Sequence, residues 1–210
     1  MSEGLQNMEI HELPSKVYCK WMDSLGRWGR MGVQGDGSCF FHSLCSLRNE
    51  DGYLLKTPSE QRDIAYSFRC NLKNHFTSEA YHRAALNHPE KDTYEKKLKA
   101  FCTPKTWADE TMIRFASKTL NMNLIFVDMM NGHAYCGVHG VETVEGIHDL
   151  ERVKQVTGII AWVEHRHFEP IVRIDSLNDK EGQITTLFST KEDKHTVYKI
   201  MTEYVQGCSV

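Results

Sequence analysis

The chain has 210 residues, 25 Lys and Arg against 28 Asp and Glu for a formal net charge of −3, and is 40% hydrophobic and 25% charged. That length and apolar content suit one domain with a real core and exclude a disordered chain. The slight acidity excludes a dominant nucleic-acid footprint, which needs a strongly basic face, and no apolar run reaches bilayer-spanning length, so no membrane role is expected.

Seven cysteines, an odd number spread through the chain with no secretory leader at its start, read as reduced intracellular thiols rather than a disulfide framework. The expected location is the cytoplasm, or the nucleus. Residues 1–13 read as a loose polar N-terminus, 14–176 as one domain, and 177–210 as an extension packed on it.

Val17, Trp21, Leu25 and Trp28 recur at helical spacing and predict a helix whose end is loosened by Gly26, Gly29 and Gly32. Next comes Gln34-Gly35-Asp36-Gly37-Ser38-Cys39-Phe40-Phe41-His42-Ser43-Leu44. Two glycines bracket Asp36 and an apolar-rich run follows, which predicts a tight loop opening a helix at Cys39. Asn49-Glu50-Asp51-Gly52 predicts a turn. Thr57-Pro58-Ser59-Glu60 has a capping residue, proline at the first helical position and glutamate at the third, so it starts a second helix with Ile64, Phe68 and Leu72 inward.

One or two further helices are expected between 78 and 101, broken near Asn87-His88-Pro89, with Tyr94, Leu98 and Phe101 inward and the charged face solvated. Thr106 is expected to cap the next helix, with Asp109 as third-position acceptor, Trp107, Ile113, Ala116 and Leu120 packed, and Asn121 at its end.

The period then changes. Residues 123–128 predict a short apolar strand, Asn131-Gly132 a hairpin turn, and 134–136 its return strand, with a loop and irregular strand over 140–150. Residues 158–163 and 167–174 predict two strands joined at His165-Arg166, with Pro170 suggesting an edge position or a bulge. A short strand at 183–188 and a last helix carrying Val197, Ile200, Met201, Tyr204 and Val205 complete the reading. Helices first and a sheet later means α+β, a small mixed or antiparallel sheet flanked by helices.

Cys39 at a helix N-terminus faces unpaired amide N–H groups and the positive end of the helix dipole. These lower a thiol's pKa and can cradle an oxyanion. Its plain alternative is a core cysteine beside Phe40, Phe41 and Leu44. No Gly-Lys-Ser/Thr follows the loop, which weakens a phosphate-binding reading. In His167-Phe168-Glu169, strand alternation puts Glu169 beside the imidazole of His167, where a carboxylate can fix its tautomer, and Phe168 on the opposite layer.

The run from Gly35 to Ser43 closely resembles the signature of the ovarian-tumour (OTU) family of papain-like cysteine proteases. Trp107-Ala108-Asp109-Glu110 with the strand from Leu124 resembles that family's middle block, and His167-Phe168-Glu169-Pro170 its closing histidine–aromatic motif. Order and spacing agree over roughly residues 30 to 174, and the wording of the loop resembles members from large DNA viruses. The resemblance implies a papain-like OTU fold and a deubiquitinase that cleaves the isopeptide or peptide bond after the C-terminal glycine of ubiquitin. It implies no metal or organic cofactor. The partners implied are ubiquitin, polyubiquitin chains or ubiquitin-like modifiers, met by a monomer.

Carried over by position, the resemblance makes Cys39 the nucleophile that forms a thioester, His167 the base, and Asp36 part of the loop shaping the oxyanion site. Gly37 and Ser38 are then substrate-binding, and Trp107 walls the cleft for a two-glycine tail. Glu169 stands where relatives often have Asp or Asn, Ser38 where Asn is common, and His42 where Arg is common.

Two other readings compete. One is a non-catalytic OTU-like module that binds ubiquitin. The other is a zinc site drawn from His133, Cys136 and His139, with His165 and His167 facing one way on a strand. Cys19, Cys45, Cys70, Cys102, Cys136 and Cys208 read as packing or incidental thiols.

Overall fold

Runs rich in valine and isoleucine late in the chain build the sheet on which everything else is mounted. In the computed structural model, which describes residues 9–13, 27–85, 94–103, 105–130, 134–136, 156–175, 183–189 and 193, eight strands form one mixed sheet. They are β1 (Ile10–Glu12), β2 (Arg27–Met31), β3 (Met122–Asp128), β4 (Ala134–Cys136), β5 (Val156–Val163), β6 (His167–Asp175), β7 (Gln183–Thr185) and β8 (Leu187–Ser189). The main order is β1-β2-β6-β5-β3-β4. Only β3 with β5 is parallel among these pairings. Every residue of β3 is buried, as a strand covered on both faces must be, which explains its unbroken apolar run.

The β5–β6 ladder runs from Val163 opposite His167 to Ile159 opposite Ile171. Beyond it the two strands part, with Val156 to Gly158 pairing β8 and Arg173 to Asp175 pairing β7. The segment 183–189 therefore fills a fork in the sheet, and what the sequence suggested as one short strand is two, divided at Thr186. Phe188 is fully buried there, its ring stacked 5.3 Å from that of Trp28.

Among the described residues five α-helices accompany the sheet: α1 (Cys39–Arg48), α2 (Pro58–Lys73), α3 (Ser78–Ala84), α4 (Tyr94–Phe101) and α5 (Glu110–Thr119). The fold class is α+β, with a larger sheet than the small one expected. Nine consecutive residues of α1, Cys39 to Leu47, are buried, so the helix runs through the core rather than over it. Among the described residues no helix is long and apolar enough to cross a membrane.

The expected helix start at Thr57 is there as a complete capping box: the Thr57 side chain takes the Glu60 amide while Glu60 takes the Thr57 amide. On α2, Phe68 and Leu72 are buried as expected, and Asn121 follows α5 in left-handed backbone (φ 52°). Asn49 caps α1 in the same conformation, and the predicted turn continues as a 3₁₀ helix, Glu50–Leu55.

Several expectations are corrected. Residues 10–12, expected to be loose, form β1 and pair with β2. Trp28 lies on β2 and not on a helix; the rest of its expected stripe lies outside the described residues. Pairing with β1 on one side and β6 on the other makes this stretch a strand, and at Gly29 a side chain would come within 2.6 Å of Ile10 on β1. The cap of α5 is Asp109, whose side chain takes the Met112 amide at 3.0 Å, and not Thr106. Lys97, on the face expected to be solvated, is buried and paired with Asp109. Pro170 is in the interior strand β6, opposite Ile160 and one position past the last β2 pair, where a missing N–H is tolerated without an edge or bulge. The last helix and the 140–150 segment lie outside the described residues.

Candidate active site

The loop before α1 owes its path to glycine. Gly37 has φ +86°, and a Cβ there would sit 2.5 Å from the Lys105 Cα, so only glycine lets the two backbones meet. Asp36 folds back beneath it, accepting the Ser38 amide at 2.9 Å on one oxygen and bonding Nε2 of His42 at 3.1 Å with the other. Nδ1 of His42 lies 2.7 Å from the Tyr53 hydroxyl. Burial lowers the His42 pKa, which favours a neutral ring that donates from Nε2 to Asp36 and accepts from Tyr53. Burial works against the charge on Asp36, but the bonds from His42 and the Ser38 amide outweigh it and hold the carboxyl below its ordinary value.

Ser38 is the N-cap residue of α1 and Cys39 its first residue, 6% exposed. The backbone of Phe168, with that of Phe40 and Cys39 itself, favours the thiolate. The expected net lowering of the thiol pKa is nevertheless overturned. Burial is the largest influence, Asp36 adds to it, and together they push Cys39 up from its ordinary value. That shift favours the neutral thiol over the thiolate.

His167, the first residue of β6, is brought to the same place. Its neighbour Phe168 takes the Ser43 hydroxyl on its carbonyl at 3.0 Å, which fastens α1 to β6. The Phe168 ring points the other way, edge-on to Phe40 (6.0 Å) and Phe126 (5.6 Å), as alternation requires. The loop passes close by on the other side, since a Cβ on Gly35 would lie 3.9 Å from the His167 Cε1.

Two residues along, Glu169 is buried with Oε1 3.6 Å from Nε2 of His167, leaving Nδ1 as the ring nitrogen without that neighbour. Arg30 on β2 grips the other carboxylate oxygen. The structure thus brings together Asp36, Gly37, Ser38, Cys39, His167 and Glu169 around the start of α1. Trp107 stands apart from the packed role expected of a helix-start residue: it precedes α5 and is 54% exposed.

Sequence reasoning missed several contributors. Arg30 lacked a signal because its partner lies 139 positions away. Arg69 is buried in α2, its guanidinium 4.7 Å from the Phe41 ring, and donates to the Ser38 hydroxyl (3.1 Å) and to the carbonyls of Ala100 (2.5 Å) and Thr106 (2.8 Å). It thereby ties the N-cap of α1 to the segment that carries Lys105.

The zinc reading is corrected in part. His165 is in the turn before β6, in left-handed backbone (φ 55°), 2.9 Å from Asp128 and with its ring tilted against Trp162 at 4.6 Å, so it does not share a strand face with His167. His133, His139 and the Cys136 side chain lie outside the described residues.

No protein-family model and no curated protein matches the chain. Among solved structures it is similar to the OTUD1 OTU domain, at 13% identity over 69% of this chain and 85% of that one, with TM-score 0.45. It is similar to the Hazara virus OTU bound to ubiquitin, at 15% identity over 71% and 83%, with TM-score 0.45. A third is an Ovarian Tumor (OTU) domain in complex with ubiquitin, at 13% identity over 82% and 81%, with TM-score 0.47.

Proposed function

We propose that this chain is a thiol-dependent deubiquitinase of the OTU type. The observation that carries the reading is the meeting of α1 and β6: Ser43 bonds the carbonyl of Phe168, the residue next to His167, so the helix that opens at Cys39 is fastened beside His167, which is backed by the buried Glu169. A sulfur at a helix start, an imidazole and an orienting carboxylate are the parts of nucleophilic acyl transfer. The substrate class comes from the likeness of the Gly35 to Ser43 and His167 to Pro170 motifs to that family.

In the proposed reaction His167 removes the thiol proton as the sulfur attacks the carbonyl carbon of the terminal glycine of ubiquitin. Loop amides around Gly37 and Ser38 donate to the developing oxyanion. His167 then passes the proton to the departing lysine amine, leaving a thioester on Cys39, and water hydrolyses it with His167 again as base. Glu169 holds the ring and stabilises the imidazolium. Because burial and Asp36 disfavour the thiolate, this reading gives His167 the part of the base that takes the thiol proton during attack.

Incubation with ubiquitin bearing a C-terminal electrophile tests this. The expected result is a covalent adduct at Cys39, absent in Cys39→Ala, together with cleavage of diubiquitin. Ubiquitin binding with neither adduct nor cleavage would instead assign a non-catalytic binding module.

A further inference from the structure

A second pair of sulfurs meets well away from Cys39. Cys70 on α2 and Cys102, just past the end of α4, are 32 positions apart in sequence, and their Sγ atoms lie 3.0 Å apart. Both are free and partly exposed, whereas Cys39 and Cys45 are buried. Their approach is built in by neighbouring bonds. Arg69, adjacent to Cys70, holds the carbonyls of Ala100 and Thr106, so the backbone is fastened to α2 on both sides of Cys102. Burial and the neighbouring Cys70 hold the Cys102 thiol above its ordinary value, and the positive charges of Lys73 and Arg69 offset this only in part.

We propose that Cys70 and Cys102 form a reversible redox-active dithiol, closed to a disulfide by a peroxide or by a small-molecule disulfide. Closing it takes an approach of about 1 Å between sulfurs that already face each other. With hydrogen peroxide, one thiolate attacks an oxygen, breaking the O–O bond and giving a sulfenic acid and, after protonation, water. The second thiolate displaces hydroxide from that sulfur, which leaves as a second water. With oxidised glutathione, the first thiolate forms a mixed disulfide and releases one glutathione, and the second thiolate releases the other. A reducing dithiol reverses either route. The bond fastens the 100–106 segment, whose Lys105 backbone packs on Gly37, covalently to α2. The proposal does not involve Cys39 and stands independently of the reaction proposed there.

The test uses the full chain, treated with hydrogen peroxide or with oxidised glutathione, alkylated, digested without reduction and mapped by mass spectrometry. The expected product is a peptide pair joined through Cys70 and Cys102, lost on reduction and absent from Cys70→Ser and Cys102→Ser. The wild type should melt roughly 5 to 15 °C higher oxidised than reduced. Recovery of both cysteines alkylated, stable single glutathionylation, over-oxidation to sulfinic acid, or pairing of either with a different cysteine in the wild type would each overturn it.

Discussion

Nε2 of His167 lies 3.6 Å from Oε1 of Glu169, and Arg30 holds the other oxygen of that carboxylate from the neighbouring strand. A three-residue line from guanidinium to imidazole thus crosses from β2 to β6. In the proposed reaction Glu169 would steady the His167 ring and Arg30 would hold Glu169 in place.

Glu169→Ala is expected to lower kcat by about 10- to 10⁴-fold with a smaller effect on KM. Arg30→Ala leaves the buried carboxylate without its cation and should cost roughly 2 to 4 kcal/mol in denaturant unfolding, along with part of the activity. Unaltered turnover in Glu169→Ala would move the orienting role to another residue.

The two glycines of the loop should respond differently. Gly37→Ala combines left-handed backbone with a clash against the Lys105 main chain, so it should lose roughly 1 to 3 kcal/mol and reduce turnover at least about tenfold. Gly35→Ala meets only the edge of the His167 ring at ordinary contact distance and should remain within roughly 0.5 kcal/mol of wild type. Side-by-side melting and kinetics decide, and equal damage at both positions would contradict this account of the loop.

Acid should loosen the loop from two sides. His42 has its pKa lowered by burial, and Asp36 is held low by His42 and the Ser38 amide against the effect of its own burial. Both groups therefore bind fewer protons folded than unfolded, and stability falls as pH falls. The His42 contribution is whole above about pH 6.5 and declines below it, while that of Asp36 declines only below about pH 4. Urea titrations across pH 8 to 4 should show the first decline in wild type and a flatter profile in His42→Gln. The same slope in both proteins would take His42 out of that window.

Alkylation gives a direct reading of the resting sulfur. Since burial and Asp36 push Cys39 upward, its rate with iodoacetamide should keep rising with pH through and beyond the ordinary thiol range of about 8.5. A plateau established below pH 7 would reveal a preformed thiolate–imidazolium pair.

What could be read from sequence was what depends on near neighbours. The capping box at Thr57 and Glu60, the loop into Cys39, and the alternation that puts Glu169 beside His167 with Phe168 opposite are all settled within a few residues. Trp28 misled because its spacing from Trp21 and Leu25 fits a helix, while the pairing with β6 that makes β2 joins residues far apart in sequence and is not a local property. Thr106 and Asp109 both suit a cap; the structure puts Asp109 there, while the Thr106 carbonyl is held by Arg69 from 37 positions away. The upward shift of Cys39 was equally hidden. The helix dipole is visible in sequence, but the depth at which the helix is buried is not.

The fork between β5 and β6 bears on where this protein can be cut. Thr186, between β7 and β8, donates its hydroxyl to the Leu47 carbonyl at 2.8 Å, and Phe188 fills the space under Trp28. A fragment trimmed after residue 176 would leave the backbone amides and carbonyls of both parted strands open to water, beside a hole the size of a phenyl ring. Such a surface invites pairing with other molecules, so a shortened version made for biochemistry should aggregate unless it keeps the stretch through Ser189.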